Sequence, residues 1–180
     1  MSQFTTGRAR ILAPPALVWQ WVCEPRGWPA WNPKIEDIVP MSMQPPGPGW
    51  RFRIALRLRK SRQLADAELV EFLPEKRLVC KMIGGDLKPG GWILETYEIQ
   101  ADEDTTVLSH SVDLGHSKMP VYARFMVKFL NGLFNANGDL GHVRNLKALM
   151  EDGVPPPRIG TGAPGGIGAG APGGAPVPPP

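Results

Sequence analysis

Two cysteines in 180 residues, Cys23 and Cys80, leave no room for a disulfide framework, and neither stands in a Cys-x-x-Cys metal pair. A bridge between the two stays open on the sequence. Both have apolar neighbours, so buried free thiols in a reducing, cytoplasmic setting are the expectation. No apolar run approaches the ~20 residues of a membrane span, and residues Met1 to Arg10 are polar, without the apolar centre of a signal peptide. His110, His116 and His142 show no ligand-like spacing and no accompanying carboxylate cluster, so neither a metal nor a cofactor is expected. Gly84-Gly85 and Gly90-Gly91 lack the following helix and the Lys-Ser/Thr signature of a phosphate cradle. The net charge is +3 and the basic residues are scattered, which argues against a nucleic-acid partner. Nothing in the sequence specifies an oligomeric state.

Aromatic and apolar residues are well supplied. Six tryptophans are present, and four of them (Trp19, Trp21, Trp28, Trp31) fall in one short stretch; the apolar fraction of 42% suits one globular domain. Composition changes at Gly153. From there to Pro180, 18 of 28 residues are Gly or Pro and Arg158 is the sole charge. Such a segment buries too little apolar surface to offset the entropy of ordering it. The expected organisation is a domain over 1–152 and a disordered tail over 153–180.

The periodicities within the domain run in a definite order. Phe4 to Leu12 reads as a strand. Leu17, Val18, Trp21 and Val22 form one helical stripe after Pro14-Pro15, and Pro25 ends that helix. Glu24 to Pro33 is too rich in proline for a long helix. Ile35 to Pro40 is a short strand. From Trp50 to Arg59 apolar residues alternate with arginines, the pattern of a sheet with one dry and one wet face. Further strands are expected over Leu64 to Phe72, Arg77 to Ile83, Gly91 to Gln100 and Thr106 to Leu114, separated by short turn-rich breaks. Such breaks imply an antiparallel meander. From Pro120 to Glu151 the apolar residues follow a helical period through Tyr122, Met126, Phe129, Leu133, Ala136, Leu140, Val143 and Met150, with glycines that weaken the helix and a bend expected near Gly138.

This order resembles the START/Bet v 1-like superfamily (SRPBCC), and within it the polyketide cyclase/dehydrase-type members. Four segments carry the resemblance: Ala13-Pro14-Pro15-Ala16-Leu17-Val18-Trp19 at the first helix, Gly27-Trp28-Pro29-Ala30-Trp31-Asn32-Pro33 at the turn after it, Val70 to Leu78 in mid-sheet, and Asn145 to Glu151 at the end of the last helix. The resemblance implies an α+β helix-grip fold, a curved antiparallel sheet of six to seven strands around a long C-terminal helix. It also implies an apolar pocket between them.

Trp50, Phe52, Ile54 and Leu56 on the dry strand face and Tyr122, Met126, Phe129 and Leu133 on the helix are the candidate lining, with Trp31 and Trp92 at the ends. For each of the lining side chains plain core packing is the alternative, and for Trp31 the pinning of its turn to the sheet is favoured. His110 lies in phase with Leu108 and Val112 and is the candidate acid or base, with Glu98 its candidate neighbour on the preceding strand; a hydrogen-bonded sheet histidine is the alternative. Ser109 and Ser111 point to the other face and are no nucleophiles for it. The expected function is binding of a hydrophobic or aromatic small molecule. A cyclase/aromatase-type enzyme is the first alternative, and an interaction module using the Gly/Pro tail the second.

Overall fold

The computed structural model describes residues 3–58, 61–84, 87–125 and 141–157. Among these residues, seven strands form one antiparallel sheet: β1 (Gln3–Ile11), β2 (Ile35–Pro40), β3 (Arg51–Leu58), β4 (Ser61–Leu73), β5 (Arg77–Gly84), β6 (Trp92–Asp102) and β7 (Thr105–Asp113). Their spatial order is β1-β7-β6-β5-β4-β3-β2. Strands β2 to β7 are a meander, as the short turns require, and β1 closes on β7 from the far end of the sequence.

The alternation in β3 does what its period dictates. Phe52 and Ile54 are buried on the concave face, while Arg51, Arg53 and Arg57 point outward. The arginines meet carboxylates across the convex face: Arg51 with Glu68, Arg53 with Asp66 at 2.7 Å and Arg57 with Glu36 at 2.6 Å. Such exposed pairs contribute about 0–1 kcal/mol each; their larger effect is to keep that face wet and the register in place.

Helix α1 (Pro15–Val22) buries Val18, Trp19, Trp21 and Val22. Leu17, expected in the buried stripe, is instead exposed, and Trp19 takes its place by setting its ring edge-on to Phe72 at 4.9 Å. The proline-rich stretch that follows forms a six-residue 3-10 helix, Pro25–Ala30, capped by Glu24. The buried Glu24 carboxylate accepts from the Arg26 guanidinium at 2.8 and 2.7 Å. Trp28 Nε1 donates to the Val22 carbonyl at 3.0 Å, satisfying an orphan acceptor at the end of α1.

Residues 121–125 are helical, and helix α2 spans Val143–Glu151. The long helix read over Pro120 to Glu151 is interrupted at position 141, where Gly141 has φ +62°; the bend expected near Gly138 lies outside the described residues. A left-handed residue ends helical propagation and resets the phase. The buried residues of α2 are Val143 and Leu146, with Leu149 and Met150 packed beside them and Lys147 half-buried next to them. Helix α2 ends in a Schellman motif: Gly153 N donates to the Met150 carbonyl and Val154 N to the Leu149 carbonyl, at 3.1 and 3.0 Å. Pro157 then packs on Gly27, where an added Cβ would run into its ring. The first residues of the Gly/Pro stretch, 153–157, thus have defined positions. Cys23 and Cys80 are buried free thiols.

Candidate functional site

The inner face of β6 reads Ile93, Glu95, Tyr97, Ile99: three apolar or aromatic residues and one carboxylate. Register places Tyr97 opposite His110 of β7, and His110 opposite Gly7 of β1. A β-bulge between Thr5 and Gly7 leaves Thr6 unpaired and turns its hydroxyl inward. Thr6 Oγ1 lies 2.5 Å from His110 Nδ1. The other imidazole nitrogen, Nε2, is buried, has no hydrogen-bond partner among the described residues, and stands 3.6 Å from Glu95 Oε2.

Helix α2 completes the group from above. Gly141 lies so close to β1 that a Cβ there would sit 2.5 Å from the Thr6 carbonyl oxygen. That approach delivers His142 onto the sheet. Its ring stacks on Trp31 at 5.5 Å and meets the His110 ring edge-on at 4.5 Å, while Nε2 lies 3.3 Å from Tyr97 Oη. Asn145 Nδ2 donates to the Trp31 carbonyl at 3.2 Å, tying the turn after the 3-10 helix to α2.

Burial governs the protonation of these groups. It holds the Tyr97 phenol well above its ordinary value, with Glu95 and Cys80 adding to the effect, so Tyr97 keeps its proton. Burial also pulls His142 down to about 2, helped by neighbouring His110 and Lys34, so His142 is neutral. The arrangement can donate and accept protons or hydrogen bonds through one phenol, two imidazoles and one carboxylate on a single inner surface.

The expected site residues separate. His110 points inward, as its phase requires. Trp31, Trp50, Phe52 and Ile54 are all buried in the core, Phe52 and Ile54 with essentially no accessible surface. Leu56 is half-buried on the concave face. Trp92 departs from expectation: it lies on the convex face, opposite Ile83, stacked on His116 at 3.9 Å with Lys81 over its ring. Its neighbour Ile93 faces inward in its stead. Tyr122 was expected to point at the sheet but is 72% exposed. Met126, Phe129 and Leu133 lie outside the described residues. Glu98 is not the neighbour of His110: it pairs with Ser109 on the convex face, beside Arg77. Glu95, Tyr97, Thr6 and His142 were not anticipated in this role. For Glu95 a signal existed, a carboxylate in phase with Ile93, Tyr97 and Ile99; a charged residue on an apolar period is the informative kind of exception.

The described residues hold no group of three or more His, Cys, Asp or Glu placed to bind a metal ion, and no helix among them is long and apolar enough to cross a membrane. The sheet and helices match solved structures of the START/Bet v 1-like class. A START superfamily protein from Mycobacterium smegmatis is 18% identical, with a TM-score of 0.61 over 84% of this chain and 96% of that one. Ara h 8.0201 is 13% identical, with a TM-score of 0.58 over 83% of this chain and 99% of that one. DynU16, a putative protein in the dynemicin biosynthetic locus, is 17% identical with a TM-score of 0.58; the match covers 88% of this chain and 51% of that one. The chain belongs to the family described as polyketide cyclase / dehydrase and lipid transport, whose sequence model matches residues 4–151. No curated protein matches it.

Proposed function

We propose that the chain binds a hydrophobic or aromatic small molecule between the concave face of the sheet and the C-terminal helical region. One observation carries the reading. The concave face is packed at one end and accessible at the other. Ile11, Leu69, Leu78, Tyr97, Ile99 and Leu108 are buried. Phe4, Leu56, Gln63, Ile93, Glu95 and Val112 also face inward, at the opposite strand ends, yet each keeps accessible surface. Inward side chains, mostly apolar with a few polar groups among them, that keep accessible surface are what a ligand site needs. Native mass spectrometry of freshly purified protein, compared with the denatured sample, tests this. The expected result is an excess mass lost on denaturation, or, for apo protein, saturable uptake of anilinonaphthalene sulfonate. An apo mass with no dye uptake would count against the reading.

A cyclase-type enzyme is the second reading, favoured by the inward placement of His110 beside Glu95 and Tyr97. A site of this kind works by holding a flexible carbonyl compound in a reactive fold while one group moves a proton. On this reading His110→Ala lowers turnover of a polyketide-like substrate by about 100-fold or more, and unchanged turnover removes His110 from the mechanism.

A further inference from the structure

We infer that Glu95 and His110 together form a polar anchor selective for a hydroxyl group, so that the ligand is an apolar molecule ending in an alcohol, phenol or enol. This rests on the ligand-binding reading above and adds the chemical class. The geometry runs from the bulge at Thr6. In the tautomer in which the Thr6 hydroxyl donates to Nδ1, the ring carries its proton on Nε2, and this is the tautomer the anchor requires. That Nε2–H is 96% buried at the side chain and has no acceptor within reach, since Glu95 Oε2 at 3.6 Å is beyond a hydrogen bond. An unmade hydrogen bond of a buried donor is costly, so the site gains from a partner it does not itself contain. Glu95 is 20% exposed at its side chain, so a ligand reaches the pair from the Glu95 side, while Nε2 itself is closed to solvent.

The two groups ask for different things. Nε2–H needs an acceptor, and the carboxylate needs a donor. A hydroxyl meets both at one atom, accepting from His110 and donating to Glu95. A ketone or ether oxygen meets only the first and turns lone pairs on the carboxylate. An ammonium meets only the second and turns its hydrogens on Nε2–H. A site built to hydrogen-bond a hydroxyl rejects the analogue lacking it more strongly than an apolar pocket discriminates by size. Tyr97, packed against the His110 ring at 4.4 Å, and His142 are engaged with each other rather than with Nε2.

The test compares beta-naphthol, its methyl ether, acetylnaphthalene and naphthalene by tryptophan-fluorescence titration of the full chain. Wild type is expected to bind naphthol at least about tenfold more tightly than the ether or the ketone. In Glu95→Leu the preference collapses to roughly threefold or less, while naphthalene still binds, which also shows that the variant is folded. His110→Phe is expected to behave likewise. Equal affinity for naphthol and ether in wild type, tighter binding of the ketone, or a preference that survives Glu95→Leu would each overturn the anchor and leave the pocket reading standing. Failure of all four probes to bind wild type would overturn both.

Discussion

His142 shows how one side chain couples site and stability. Unfolded, it takes up a proton near its ordinary value of 6.5; folded, packed against Trp31, His110 and Tyr97, it does so only at about 2. Between those values the unfolded chain binds one proton more than the native one. Stability therefore rises with pH across that window and is lost as pH falls below about 6.5, by up to about 1.4 kcal/mol per pH unit. His142→Gln removes the titrating group. Between pH 7 and pH 5 the wild type is expected to lose about 2 kcal/mol more than the variant, measured by urea unfolding at both pH values. Parallel losses would mean that His142 is protonated in the folded state. The position of His142 was not legible in the sequence, because Tyr97 and His142 are 45 residues apart and meet only through packing.

At the scale of elements, Gly141 is the joint on which the site depends. It has φ +62° and its Cα lies against the backbone of the β1 bulge. Gly141→Ala adds a left-handed penalty of about 1–2 kcal/mol and forces α2 off β1. The expected outcome is a lowered urea midpoint together with a changed environment of the histidine ring protons of His110 and His142 by NMR. A variant with unshifted histidine signals would show that α2 does not need this close approach. The strands were legible from period two and turn chemistry, with ends differing by up to three residues, because turns and alternation are local. The C-terminal helical phase was not. A period extended through several glycines assumes that none of them leaves the helical region, and Gly141 does.

For the whole molecule, composition draws the domain boundary at residue 152, and we propose that the folded unit reaches Pro157. Gly153 and Val154 close the Schellman motif, and Pro157 seats on Gly27 of the 3-10 helix. Truncation after Pro157 is expected to leave the unfolding free energy within about 0.5 kcal/mol of the full chain. Truncation after Asp152 is expected to cost about 1–2 kcal/mol through two lost hydrogen bonds. Equal stabilities of the two truncated chains would return the boundary to 152.

The sequence alone determined the class of fold. An apolar-in, arginine-out strand, short turns and a helical C-terminal region admit few ways of burying their apolar faces, and Trp28 and Trp31 of the tryptophan-rich turn are buried in that core. Tertiary structure decided the site. Whether Trp92 or Ile93 faces inward depends on where β6 begins, and one residue of register moves every side chain to the other face. Whether Glu95 or Glu98 approaches His110 depends on the same choice, resolved by the pairing of Tyr97 with His110. The bulge at Thr6 and the close approach of Gly141 then bring together groups from β1, β6, β7 and α2. Their separation along the chain hides them from any local pattern, and only the folded sheet, with α2 laid on it, sets them within hydrogen-bonding distance.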